Sequence, residues 1–165
     1  MFEKILVTLD GSPVAEKALE PALTLAQAFE SEVVLLRVVM VEEVAVAAGM
    51  GVAYFDLHEA LEKHAREEAE AYLKGVEAHW RNTGARVRSE VVAGAPAEKI
   101  VETAKHLGVG MIVMSTHGRA GLSRLIYGSV AEAVLRAAVA PVTLIPVKAP
   151  SPSFSTSRRS DFSPR

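Results

Sequence analysis

The chain has 165 residues, 50% of them apolar and 23% charged, enough for one domain with a substantial core and too apolar for a disordered polymer. Its formal charge of -2, with acids and bases interspersed, gives no electrostatic reason to expect nucleic acid. The absence of cysteine excludes disulfides, thiolate catalysis and Cys-based zinc sites, and no apolar stretch approaches the ~20 residues of a membrane span.

Met1-Phe2-Glu3-Lys4 lacks the charged-then-apolar pattern of a secretory leader, so a cytoplasmic protein is expected. Gln27 and Asn82 are the only amides, and Glu far outnumbers Asp; such depletion of thermolabile residues is a thermophile tendency. Lys4 to Asp10 is a short apolar run ended by Asp-Gly, a buried strand leaving its sheet. Ser12 offers an N-cap and Pro13 a first helical residue, so a helix is expected from here with Ala15, Ala18, Leu19, Ala22, Ala26 and Phe29 as its stripe. Pro21 should kink it by clashing with the Lys17 carbonyl. Val33 to Met40 is a second buried strand. Residues 41–56, apolar without a period and carrying Gly49 and Gly51, read as a mobile loop or a short irregular helix.

A long helix is expected over Leu57–Asn82, from the spacing of Leu61, Ala65, Tyr72, Val76 and Trp80. Its outer face carries Glu59–Lys63, Glu62–Arg66, Glu70–Lys74 and Glu77–Arg81, pairs worth ~0.2–0.5 kcal/mol apiece. Gly84 ends it, and Arg86 to Val92 alternates like an edge strand. Gly94 and Pro96 open a third helix, Ala97 to Leu107, closed by Gly108. Then come the apolar strand Met111 to Met114, a glycine-bearing loop from Ser115 to Gly128, a helix from Val130 to Ala138 and a last strand from Pro141 to Val147. Alternation of this kind means an α/β fold: a single open five-stranded, mainly parallel sheet with helices on both faces. Residues 1–148 make that domain. Serine and proline dominate 149–165, which read as a disordered tail whose Arg158-Arg159 pair could touch an acidic partner.

In an open parallel sheet, ligands collect outside the carboxyl ends of the strands, where the strand order reverses. The turn Ser115 to Ser129 is too long for a plain connection and holds glycines, hydroxyls and arginines before a helix start, the features a polyphosphate needs. A second reading stands beside it: Ser129 with Glu132 forms a capping box, which satisfies the same amides without a ligand. No G-x-x-x-x-G-K-[ST] loop, no G-x-G-x-x-G after the first strand and no G-x-S-x-G elbow occurs. The histidines show no metal-ligand spacing; His58, His64, His79 and His106 read as helix-surface or boundary residues, while His117 lies in the candidate loop.

Ser115-x2-Gly118-x9-Gly128-Ser129 resembles the ATP-binding motif of the universal stress proteins, Gly-x2-Gly-x9-Gly-Ser/Thr, with serine at the first glycine. The following Val130-Ala131-Glu132-Ala133-Val134-Leu135, the closing Ala140-Pro141-Val142, and the segments Ile5 to Ser12, Leu35 to Val39 and Gly94-Ala95-Pro96-Ala97 are also similar, so the resemblance covers residues 1–148. It implies the strand order 3-2-1-4-5 of the adenine nucleotide α-hydrolase-like folds, with the reversal between strands one and four. It implies that Asp10 contacts a ribose, that Thr8 and Leu9 line an adenine pocket, and that Val38 offers backbone hydrogen bonds to the adenine edge. Ser115, Thr116, His117, Gly118, Arg119, Ala120 and Gly121, with Gly128, Ser129, Val130 and Ala131, would wrap the phosphates, Arg119 being the nearest cation. From the residues alone, Asp10 reads as a turn residue and Val38 as core. At 115 a serine adds a Cβ where backbone passes near phosphate, and also a hydroxyl that could bind it.

The ligand so implied is ATP, with Mg2+ carried by the triphosphate, and the assembly a homodimer through the last strand, residues 142–147, whose apolar edge would otherwise invite aggregation. Three functions fit: a nucleotide-dependent stress-response switch, a slow ATPase using His117 or Asp10 to activate water, and a nucleotide-free dimeric interaction protein. A phosphate cradle without an identifiable general base favours the switch, and no motif names a protein partner, a nucleic acid or a membrane.

Overall fold

The chain runs β1 (Lys4–Thr8), a 3-10 turn (Ala15–Ala18), α1 (Leu19–Phe29), β2 (Glu32–Val39), α2 (Gly51–Arg81), β3 (Val87–Ala93), α3 (Pro96–Leu107), β4 (Met111–Thr116), α4 (Ser129–Ala137) and β5 (Val142–Pro146). This computed structural model describes residues 2–40, 51–81, 84–116 and 128–147, excluding the side chains of 51–58. Every strand pairing is parallel and the order is β3-β2-β1-β4-β5.

Side chains alternate faces along a strand. Ile5, Val7, Val33 and Leu35 therefore join Ala22, Leu23 and Leu73 in one core under α1 and α2. Leu6, Val34, Leu36 and Ile112 join Ile100, Ala104 and Val134 in a second core under α3 and α4. The first pair of helices carries the chain from β1 out to β3 and the second carries it back to β5, so right-handed crossovers put the two pairs on opposite faces.

Four local expectations are corrected. The helix expected from Ser12 with a kink at Pro21 is two pieces, because Pro21 has no N–H to give to Lys17. The chain takes a 3-10 turn instead and starts α1 at Leu19. Pro21 then lies in a first turn, where its N–H would have had no partner anyway. The long helix starts at Gly51 rather than Leu57, so of the two readings of 41–56, loop or short irregular helix, 51–56 takes neither form but continues α2 as regular helix; once a helix is nucleated, each added residue gains a backbone bond. Residues 41–50 and the tail 149–165 lie outside the described residues.

The other two corrections concern β4 and α4. Ser115 and Thr116 belong to β4, not to the loop, because β5 offers Ile145 and Pro146 opposite them. Helix α4 begins at Ser129, so the residue before it, Gly128, is the N-cap.

The charged face of α2 does more than meet solvent. Glu77 pairs with Arg81 (2.5 Å) and accepts a hydrogen bond from the Ser89 hydroxyl (2.6 Å), while Arg66 donates to the Val91 carbonyl (3.2 Å), tying α2 to β3. His64, His79 and His106 are exposed on their helices, as the sequence indicates. Among the described residues, no helix is long and apolar enough to cross a membrane.

Candidate functional site

Register creates a notch at the carboxyl edge of the sheet. Thr8 of β1 lies opposite Leu36 of β2, and Val7 lies opposite Val113 of β4. β2 continues to Val39 and β4 to Thr116. β1 thus stops short of both neighbours, and Leu9-Asp10-Gly11 forms the floor between them. The last rung is the Leu9 N–H donating to the Leu36 carbonyl at 2.8 Å. Both backbone polar groups of a strand residue point to one side and alternate with its neighbours'. On the β3 side, the Val39 carbonyl accepts from the Gly94 N–H (3.0 Å). Val38, two residues beyond Leu36, therefore aims its N–H and C=O over the notch. Its side chain packs against the second core, as the core reading has it.

The floor is a shaped turn. One Asp10 carboxylate oxygen, Oδ1, accepts from the Ser12 N–H (2.8 Å), and the Ser12 hydroxyl accepts from the Ala15 N–H (3.1 Å), starting the 3-10 turn. Gly11 sits at φ +86°, a conformation open to glycine. Leu9 is 4% exposed with its side chain in the first core, so it gives the notch only backbone; Thr8 is half-buried on the opposite face.

Beneath the floor lies a residue that sequence reading passed over. Arg37 interrupts the apolar run of β2, and its guanidinium Cζ lies 5.2 Å from the Tyr72 ring centre, a cation–π contact. The Tyr72 hydroxyl donates to Glu16 (2.9 Å). Burial, then the Glu16 hydrogen bond and charge, push its phenol well above the ordinary tyrosine value, with Asp10 adding to the rise and Arg37 opposing it. The signal was available: a lone cation inside Leu35-Leu36-Arg37-Val38-Val39.

The other wall is β4 and α4. Thr116 is buried and its hydroxyl donates to the Ile145 carbonyl (3.5 Å), on the face that α4 covers. Ser115 is half-buried and lies in extended strand, where glycine's freedom is not required, so the serine at the first motif position is no backbone defect. Helix α4 links β4 to β5 and so starts at the carboxyl edge. Its N-cap, Gly128, has φ 85° and ψ 145°, and among the described residues no side chain caps the helix.

The capping box expected from Ser129 and Glu132 is therefore not formed. Ser129 is one position too far along, already helical, and Glu132 pairs with Arg136 instead. A Cβ built on Gly128 meets no atom of the described residues within 4 Å. The first-turn amides of α4 have no intrahelical partner and carry the positive end of the helix dipole, a setting that suits an anion. Thr8, Leu9, Asp10, Val38, Ser115 and Thr116 lie at the carboxyl ends of three neighbouring strands, and Gly128, Ser129, Val130 and Ala131 open α4 at the same edge of the sheet. His117, Gly118, Arg119, Ala120 and Gly121 lie outside the described residues. Among the described residues, no group of three or more His, Asp or Glu is placed to hold a metal ion.

The sequence profile of the Universal stress protein family matches residues 1–146. The chain belongs to the universal stress protein family. Universal stress protein MJ0531 of Methanocaldococcus jannaschii is 33% identical over 145 residues, covering 88% of this chain and 82% of the relative. The solved structure of protein MJ0577 from the same organism is 28% identical with a TM-score of 0.70, over 91% of this chain and 99% of that one. A universal stress protein of Archaeoglobus fulgidus, solved in complex with dAMP, shares the fold at a TM-score of 0.62 and 18% identity, over 87% of this chain and 97% of that one.

Proposed function

We propose that this universal stress protein binds ATP in the notch and acts as a nucleotide-dependent switch in the stress response. The observation that carries this reading is the start of α4. A positive-φ glycine, whose Cβ would meet no atom of the described residues within 4 Å, precedes a helix that starts at the same carboxyl edge of the sheet as the notch and has no side-chain cap among the described residues. Phosphates would meet the amides of Ser129, Val130 and Ala131 and the segment from Ser115 through Gly121. The adenine edge would meet the Val38 backbone and the ribose would meet Asp10. Mg2+ would arrive with the triphosphate. The dAMP complex of the Archaeoglobus relative supports an adenylate as the kind of ligand this fold can hold.

Residues 1–148 constitute the binding domain in this reading, 149–165 an appended tail, and the cytoplasm the site of action. β5 lies at the sheet edge with four of its five residues half-buried, which supports a homodimer paired through residues 142–147. Pro146 cannot donate to a ladder, so pairing would centre on the residues before it.

Mass spectrometry of nucleotide released from freshly purified protein, followed by calorimetry with ATP, ADP and AMP, tests the reading. Release of adenylate and saturable ATP binding are expected. A chain that carries none and gives no heat with any of the three would leave only a nucleotide-free interaction protein. Rapid hydrolysis lost in Asp10→Ala would replace the switch with an ATPase.

A further inference from the structure

Arg37 stands next to one proposed ligand contact, Val38, and touches the turn that holds the other, Asp10. Strand alternation puts its side chain on the α1 and α2 face, past the point where β1 has left the sheet. A Cβ placed on Gly11 would lie 3.3 Å from Cζ, Nη1 and Nη2 alike. Equal distances mean that the flat face of the guanidinium, not its edge, is turned toward the floor. The Tyr72 ring centre lies 5.2 Å from Cζ. The planar cation therefore neighbours both a backbone turn and an aromatic ring.

The contacts close into a circuit. Tyr72 donates to Glu16 (2.9 Å), Glu16 belongs to the 3-10 turn, and that turn starts at the Ser12 hydroxyl, which accepts from Ala15 (3.1 Å). Ser12 in turn donates its N–H to Asp10 (2.8 Å). Position 11 favours glycine by its φ of +86°, and a Cβ there would also press on the guanidinium, which would have to shift by a few tenths of an ångström.

We propose that Arg37, seated on Tyr72, is a positioning residue that fixes the Asp10 carboxylate relative to the Val38 backbone and so sets the preference of the site for ribose hydroxyls. Its ligand consequence rests on the adenylate reading above; the clamp on the turn does not. A lysine could not reproduce it, because an ammonium has no flat face to lay against turn and ring. Through Tyr72 the same contact joins the floor of the site to α2.

The test compares wild type, Arg37→Met, Tyr72→Leu and the double variant. Calorimetry measures ATP against 2′,3′-dideoxy-ATP, and amide hydrogen exchange in the nucleotide-free protein measures the Ser12 N–H, with Val7 of β1 as the fold control. Arg37→Met and Tyr72→Leu are each expected to lower the preference for the ribose form about tenfold, ~1.4 kcal/mol. Each is also expected to speed Ser12 exchange about tenfold while Val7 stays protected. The double variant should be no worse than the poorer single one, since both break the same clamp.

Wild-type ribose preference and wild-type Ser12 exchange in Arg37→Met would overturn the proposal, as would effects of the two substitutions that multiply. If the wild-type protein binds no adenylate, the nucleotide reading fails by itself, and the Ser12 comparison alone decides whether Arg37 clamps the turn.

Discussion

Replacing Gly128 by alanine separates backbone strain from ligand contact at one position. The residue sits at φ 85°, ψ 145°, where a Cβ is disfavoured whatever its surroundings, and holding alanine there costs about 1–3 kcal/mol. For a domain of this size each kcal/mol lowers the melting temperature by about 2–4 °C, so the unliganded variant should melt about 2–12 °C below wild type. The added methyl meets no atom of the described residues within 4 Å, so none of them adds a steric clash to that cost. With nucleotide the two proteins should diverge further. Bound as proposed, ATP at one hundred times its Kd would stabilise wild type by about 2.7 kcal/mol. In Gly128→Ala the methyl would occupy the space kept for a phosphate oxygen, and the ATP-induced shift should nearly vanish. Differential scanning calorimetry with and without ATP reads both quantities. An ATP-induced shift as large as wild type's, in a variant that shows the expected baseline loss, would refute the placement of phosphate at the start of α4.

Three further outcomes are expected. Leu73→Ala, at a fully buried position where α2 meets the sheet, should cost about 2–5 kcal/mol in urea titration, and a loss within 1 kcal/mol would mean that α2 is not held as described. Asp10→Ala removes the acceptor for the Ser12 N–H and should lower stability by about 0.5–2 kcal/mol, while Asp10→Asn, which keeps an acceptor, should restore most of it. For Tyr72 the folded state holds the phenol proton more tightly than the unfolded chain, so the unfolded state binds fewer protons above pH ~10. That stability contribution is complete below pH ~10 and declines as pH rises toward the folded value; Tyr72→Phe should flatten the decline, and an unchanged alkaline slope would count against it.

Much of the architecture could be read from apolar runs and their punctuation. The alternation of strand and helix sufficed for a parallel sheet, and Gly108 and Pro96 marked both ends of α3, but the strand order came with the family resemblance. The misplacements have physical causes. Pro21 signalled a disruption, yet whether a chain kinks or changes helix type depends on what the preceding turn packs against. In Gly128-Ser129 either residue can serve as cap, and only the backbone dihedral decides between them. Ser115 and Thr116 read as loop because their strand character depends on β5, about thirty residues away. The notch itself could not be read, since it arises from the relative lengths of three strands in register. Arg37 was visible as an interruption, but its partners Gly11 and Tyr72 come from separate elements.

The length of α2 has a mechanical consequence. At 1.5 Å per residue its 31 residues span about 46 Å, whereas the seven residues of β3 reach about 23 Å. Its last turn is tied near the start of β3, where Arg81 donates to the Val87 carbonyl (3.3 Å), and Arg66 reaches the Val91 carbonyl near the strand's other end, leaving about 22 Å of helix N-terminal to that second tie. Leu61, on that N-terminal part, is 45% exposed. On a rod of that length a rigid tilt of about 5° about Tyr72 would carry the Gly51 end, about 32 Å away, through about 3 Å.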